Sequence, residues 1–451
     1  MTTIPDSPKK RRGRWWTWLL GALLLLVAAH AVWTFHWRSR FEDRLAALRA
    51  VGEPVTLAGL ATESIPDAEN AAIPFGDAAR WYDEHLLADE GLIEDFAMSE
   101  DFWRPSGQEP DEEHRETLRA LRAWLARGDP YVELLREAAF RPRWHVAYEW
   151  EKGPDMVVDA IPRMQQLTVF LSERIRRADA WSPGVRDELV LLAQLSERVE
   201  LPVVIGMFVE ATVRDGTARL LPRAARLPGF DAADAHRALD PLLVPVTTTD
   251  RIQQAFREEL PMGLWATRRL LDGRELATGA EPMPDSNADS RSWWSWIYTA
   301  LIYRDGVRFL DLMAQAQDLA LDSPASAVAR SEDLDRELDP WRGRMVSSLF
   351  SHLPGMVMRK RQEHVARMRV ARVGLALLVV RQRDGAWPES LDAVRALVPT
   401  ECLEDPFTGK LLRWQPGVRL SAARPLEDFD EESARRYGDN MLIEWNFDAD
   451  G

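Results

Sequence analysis

Eight histidines, one cysteine and 72 acidic residues are the groups that could do chemistry in this 451-residue chain. The most ligand-like spacings are His145 with Glu149 and His236 with Asp240. Each pair is i,i+4 and would share a helix face, but surface ion pairs use the same spacing and two ligands do not complete a metal site. Both pairs therefore read as structural. Glu258 and Glu259, just before Pro261-Met262, could offer a carboxylate as general acid or base. Adjacent residues on a helix point about 100° apart, so the two are not a catalytic pair and read as a solvated face. Near the C-terminus, Glu427, Asp428, Asp430, Glu431, Glu432, Asp439, Asp448 and Asp450 make acidic loops. Ca²⁺ takes about six to eight oxygen ligands, which such loops can supply. The spacing is not that of an EF-hand, and solvated carboxylates are the expectation.

Familiar catalytic motifs are missing. Gly409-Lys410 is preceded by Glu404 where a phosphate-binding loop needs glycine, and there is no G-x-S-x-G elbow, H-E-x-x-H or C-x-x-C. The single Cys402 excludes thiolate metal sites and an internal disulfide. No catalytic, cofactor-binding or metal-ligating residues are assigned, and no cofactor is expected.

The elements that must position any site begin with a membrane anchor. Lys9, Lys10, Arg11, Arg12 and Arg14 precede an uncharged apolar stretch, Trp15 to Phe35, flanked by Trp15, Trp16 and Trp18 at one end and Trp33 and Trp37 at the other. At 1.5 Å per residue it reaches roughly 30 Å, the thickness of a bilayer core. Only Arg38 and Arg40 follow closely, so the positive-inside bias keeps residues 1–14 in the cytoplasm and exports the remainder. A cleaved signal peptide, with Ala29-His30-Ala31 as its cleavage site, is the rival. The apolar stretch is longer than an h-region of about 7–15 residues, which favours the uncleaved anchor.

Beyond the anchor the chain reads as mainly helical. Phe41 to Val51 continues the span helix as far as Gly52 and Pro54. Asn70 caps a helix through Trp81 and His85, and Asp111 to Ala126 carries a Leu118, Leu121, Leu125 stripe ended by Gly128 and Asp129-Pro130. Ile161 to Ile175, Val185 to Val199 and Val203 to Leu221 make three helices joined by short connections, read as stacked hairpins, the third kinked or restarted at Pro202. A helix from Asp250 to Leu271 precedes a loop near 272–292, and Trp293, Trp294 and Trp296 open the next, packing it onto the bundle. The fold class is thus a transmembrane helix, a helical-hairpin ectodomain over 36–353, and a small α+β module over 354–451. In that module a helix from about Gly355 to Arg383 precedes strands near Leu411–Trp414, Val418–Ser421 and Met441–Phe447.

The module's residues carry a resemblance. Asp384-Gly385-Ala386-Trp387-Pro388-Glu389-Ser390-Leu391 followed by Asp405-Pro406-Phe407-Thr408-Gly409-Lys410 and Leu412-Arg413-Trp414 resembles the globular end of type II secretion pseudopilins, and the match runs from Met368 onward. The resemblance implies a long helix, a tight turn and a short sheet, and raises the chance of calcium in the acidic C-terminal loop. Pseudopilins carry their apolar helix at a processed N-terminus with a Gly-Phe junction, which is absent around Trp15. Leu45, Leu48-Arg49, Gly52-Glu53-Pro54-Val55-Thr56-Leu57 and Glu69-Asn70-Ala71-Ala72 are also similar to a group of uncharacterised bacterial single-pass envelope proteins. That group implies no activity.

The formal charge of the whole chain is −15, and the first forty residues hold seven basic groups against Asp6, so −21 resides on 41–451. Such a surface excludes non-specific nucleic-acid binding. Three classes fit an anchored protein of the bacterial inner membrane. The first is a non-enzymatic component that binds another envelope protein, the second a small-molecule or peptide-binding ectodomain, and the third a periplasmic hydrolase with dispersed acids. A deep pocket with converging polar groups favours the second or third, a shallow apolar groove the first. The topology is testable by a reporter fused after Gly451, which should behave as extracytoplasmic. Neutralising Lys9, Lys10, Arg11, Arg12 and Arg14 should scramble that orientation, and a reporter active only in the cytoplasm at that end would overturn it.

Overall fold

The computed structural model describes residues 13–60, 63–89, 112–148, 160–199, 203–272, 293–338, 350, 353–422 and 443–447. The expectations for Glu149, Pro202, the loop after Asp272 and the acidic residues Glu427 to Asp439, Asp448 and Asp450 lie outside them. Among the described residues the protein is mainly helical, with twelve α-helices and one three-stranded sheet.

Helix α1, Gly13–Ala50, is continuous. It is long and apolar enough to cross a membrane, and none of its apolar window is buried against the protein. One face changes character after the apolar stretch, where Phe41 and Leu45 are buried in the core. Gly52 ends the helix with φ +79°, a left-handed value costly for other residues. Asn70 accepts from the Ala72 amide at the start of α2, Ala72–His85, and pairs its side chain with both backbone groups of His145.

Helices α3, Glu112–Arg127, and α4, Asp129–Phe140, follow in immediate succession. Gly128 and Asp129-Pro130 end α3 as the sequence suggests, and Pro130 also opens the next helix. It sits in the first turn of α4, where its missing N–H has no intrahelical acceptor to lose. The middle helices are α5, Ala160–Arg176, α6, Pro183–Arg198, and α7, Val203–Ala224. The short α8, Ala232–Leu239, leads to α9, Thr249–Leu271, then α10, Trp293–Leu319, and α11, Pro324–Leu338. Helix α7 lies at the centre, packed against α5, α6, α9 and the long α12, Leu353–Asp384.

Two apolar cores lie around α7. One gathers α2 to α8, most of α12 and the C-terminal sheet, and the other gathers the end of α1 with α9, α10, α11 and the start of α12. The sheet is antiparallel in the order β1, Arg413–Gln415, β2, Arg419–Ser421, and β3, Glu444–Asn446. The Asp405–Lys410 turn predicted to feed it is present. The Asp405 amide donates to the Lys410 carbonyl at 2.6 Å, its carboxylate accepts from Phe407 N–H and Thr408 Oγ1, and Gly409 has φ +67°.

The sheet docks on α12 at Gly374, where a Cβ would lie 2.1 Å from the Trp445 ring. Gly374→Ala should therefore lift Trp445 off the helix and destabilise the protein by about 1–3 kcal/mol, the usual cost of overpacking. Limited proteolysis should then cut first within 411–447, and an unchanged melting temperature and cleavage pattern would show that this contact is loose.

Candidate functional site

Helix α7 is apolar by periodicity yet carries three buried charged residues, Glu210, Arg214 and Asp215. A buried charge is tolerated only when it is paired and hydrogen-bonded. Glu210 accepts from Arg251 of α9 at 2.7 and 3.2 Å. Arg214 donates to Ser196 Oγ at 2.8 Å, to the Val244 carbonyl at 3.0 Å and to the Ala193 carbonyl at 3.3 Å. Asp215 accepts from His364 Nδ1 at 2.7 Å and is paired with Arg367, both on α12. Burial alone would raise the Asp215 carboxyl, but His364, Arg367 and Arg219 outweigh it and hold the group below its ordinary value.

Asp215 opens onto a pocket of about 550 Å³ between α5, α7 and α12. Val169, Phe208, Leu220 and Met356 make its apolar surfaces, and Glu173, Arg176, Asp215, Arg219, Lys360, His364 and Arg367 bring charge or polarity to it. The cations outnumber the anions. Arg176 donates to Glu173 at 2.7 Å and Lys360 pairs with Glu363 at 3.3 Å, next to the pocket. Arg219 makes no hydrogen bond or close ion pair among the described residues. The residue is exposed overall, but lost hydration around its guanidinium, then the Arg367 charge, lower its pKa, while Asp215 and Glu363 pull the other way.

The buried His364–Asp215 pair has the outline of an acid–base dyad without its chemistry. His364 Nε2 accepts the Val246 amide proton at 3.1 Å, so the imidazole has its only proton on Nδ1 and no free nitrogen for a substrate. Three hydroxyls line the walls: Thr168 and Thr212 each donate to the carbonyl one turn earlier on their own helix, and the third, Ser172, is buried. The arrangement holds and orients charge at a pocket wall, and the two ring nitrogens of His364 are taken by Asp215 and the Val246 amide.

The residues singled out from sequence are not brought together here. His145 lies in a non-helical segment and its amide is engaged by Asn70, while Glu149 lies outside the described residues. His236 Nε2 stands 3.8 Å from Asp240, whose two carboxylate oxygens are held by Arg372 at 2.7 and 2.8 Å. Among the described residues no group of three or more His, Cys, Asp or Glu could hold a metal.

Glu258 and Glu259 are not a solvated face. They reach from α9 to the N-terminus of α7, where Val203 N–H donates to Glu258 at 2.8 Å and Val204 N–H to Glu259 at 3.0 Å. The reason is electrostatic: the first amides of a helix lack intrahelical acceptors and carry its positive dipole end. Sequence reasoning missed the pocket residues because they stand on three helices. The available signal was the run of charged residues inside the apolar pattern of α7 and at Lys360, His364 and Arg367 on one face of α12.

No family model, curated protein or solved structure matches this chain.

Burial raises the Glu259 carboxyl from 4.5 to about 7, opposed in part by the Val204 amide and aided by Glu258. Because the folded value lies above the unfolded one, the stability from this group is complete below the unfolded value and declines as pH rises through about 7. Glu259→Gln should flatten that decline and make the protein more stable than the parent at about pH 8. Melting temperatures between about pH 5 and 9 read this directly, and an identical slope in the two proteins would show that Glu259 does not titrate there.

Proposed function

We propose that the protein is a membrane-anchored ligand-binding protein whose α5–α7–α12 pocket takes a small anionic molecule with an apolar part. One observation carries this reading. Arg176, Arg219, Lys360 and Arg367 face a cavity beside Val169, Phe208 and Met356, with only Glu173 and Asp215 as anions in its lining. An anion there would relieve the mutual repulsion of Arg219, Arg367 and Arg176 and find guanidinium donors already placed. The apolar surfaces would take the uncharged part of the ligand.

In this reading residues 1–14 lie in the cytoplasm, 15–35 cross the inner membrane, and the pocket faces the extracytoplasmic side. The capped Nε2 of His364 speaks against the hydrolase reading. The concave charged site fits ligand binding better than a flat protein-docking surface does. The likeness of the C-terminal turn and sheet to pseudopilins bears on that module's shape and not on the pocket.

The test uses the full chain in lipid nanodiscs with three probes: phenyl phosphate, inorganic phosphate and benzyl alcohol. Phenyl phosphate should raise the melting temperature most, since binding to the folded state stabilises by mass action. Arg219→Gln should weaken that binding by roughly tenfold or more, the worth of one charge-assisted hydrogen bond, while barely moving the unliganded melting temperature. No shift with phenyl phosphate, or an equal shift in Arg219→Gln, would overturn the reading.

A further inference from the structure

Helix α10 runs beside α1 in the same direction, and the pairs of touching residues fix its height. Arg304 lies over the Trp37 ring at 5.9 Å, and Phe41 packs on Tyr303 at 5.8 Å between ring centres. A Cβ at Gly306 would stand 2.6 Å from Phe41, and Arg44 pairs with Asp311 at 2.8 Å. From residue 37 to residue 44 on α1 the partners on α10 advance from 303–306 to 311. Tyr298 precedes Tyr303 by about one and a half turns, which puts it level with residues 31–36, the last turns of the apolar stretch.

That level is chemically layered on both helices. Trp33 and Phe35 of α1 are exposed there, and Tyr298 of α10, half exposed, joins them. One turn further from the apolar stretch come Arg38 and Arg40, exposed on α1, with Arg40 over Trp37 at 5.2 Å and Arg304 beside it on α10. A ring of aromatic groups followed by a ring of arginines is the order in which a bilayer presents its acyl boundary and its phosphates. The sequence before Tyr298 continues the theme, since the helix opens at Trp293 and contains Trp294 and Trp296.

We propose that the N-terminal end of α10 is a second membrane contact, seated in the lipid interface alongside α1, with phospholipid as its partner. This rests on α1 being a membrane span. Two adjoining helices of different depth would then fix the tilt of the whole helical body on the bilayer, because α10 continues through Val307, Leu310 and Met313 into the core shared with α9 and α11. The arginine layer would meet phosphate oxygens, and the phenol of Tyr298 would span the boundary with its ring in the acyl region.

Spin labels on the full chain in nanodiscs of phosphatidylethanolamine and phosphatidylglycerol test this. Cys402 is buried, so labels should go selectively to single introduced cysteines at Tyr298→Cys, Leu26→Cys and Gln315→Cys. Leu26 is exposed within the apolar stretch, and Gln315 is exposed near the far end of α10. Each labelled protein should keep the parent melting temperature. Tyr298→Cys should collide preferentially with oxygen, as Leu26→Cys does, and Gln315→Cys preferentially with water-soluble nickel chelate. A label at 298 that behaves like the one at 315, while that at 26 remains in lipid, overturns the second contact alone. A label at 26 that also meets the nickel chelate overturns the span and the contact together.

Discussion

Charge buried on a central helix is the constraint from which the packing follows. Glu210 and Arg214 stand one turn apart on α7 with Asp215 next to them, and none can be left unpaired in an apolar core. Each takes its partner from a different neighbour: Arg251 on α9, Ser196 and Ala193 on α6, His364 and Arg367 on α12. The N-terminus of the same helix is met by Glu258 and Glu259 of α9. Rotating α7 by one residue, about 100°, would break all these pairs at once. Apolar packing alone tolerates exchanges of similar volume, whereas these bonds admit one register.

The pocket grows out of the same arrangement. Pairing Asp215 with His364 and Arg367 brings α12 beside α7 and places Arg367, Lys360 and Arg219 on one opening. Asp215 is paired with His364 and Arg367, and cations outnumber anions in the pocket lining among the described residues. The anion site we propose thus grows out of a structural ion-pair network. The same network fixes the His364 tautomer through the Val246 amide, which removes the imidazole from acid–base service.

The apolar N-terminal helix is joined to this body without a hinge. Helix α1 stays helical from the apolar stretch into the core, where Phe41 and Leu45 pack against α10, so any tilt of the apolar stretch is a tilt of the bundle. At the other end, Trp445 against Gly374 ties the C-terminal sheet to α12, the helix that also carries His364 and Arg367. One long helix thus links the sheet to a wall of the pocket.

Local features were legible from sequence. The apolar stretch after the basic cluster, the stripe of α3, the extents of α5, α6 and α9, the Asp405–Lys410 turn and the helix end near Arg383 each depend on residues within a few turns of one another. The segment around His145 was misread for the same reason. The i,i+4 rule assumes a helix, whereas residues 144–148 are non-helical and the backbone of His145 pairs with Asn70, 75 residues away. The Glu258–Glu259 pair looked solvated because nothing within α9 shows that the amides of another helix lie above it. Composition and periodicity determined that this chain is a helical body with one apolar helix long enough to cross a membrane. Only the tertiary structure decided where charge is buried and what answers it, since Asp215 meets His364 across 149 residues of sequence and no local rule selects that partner.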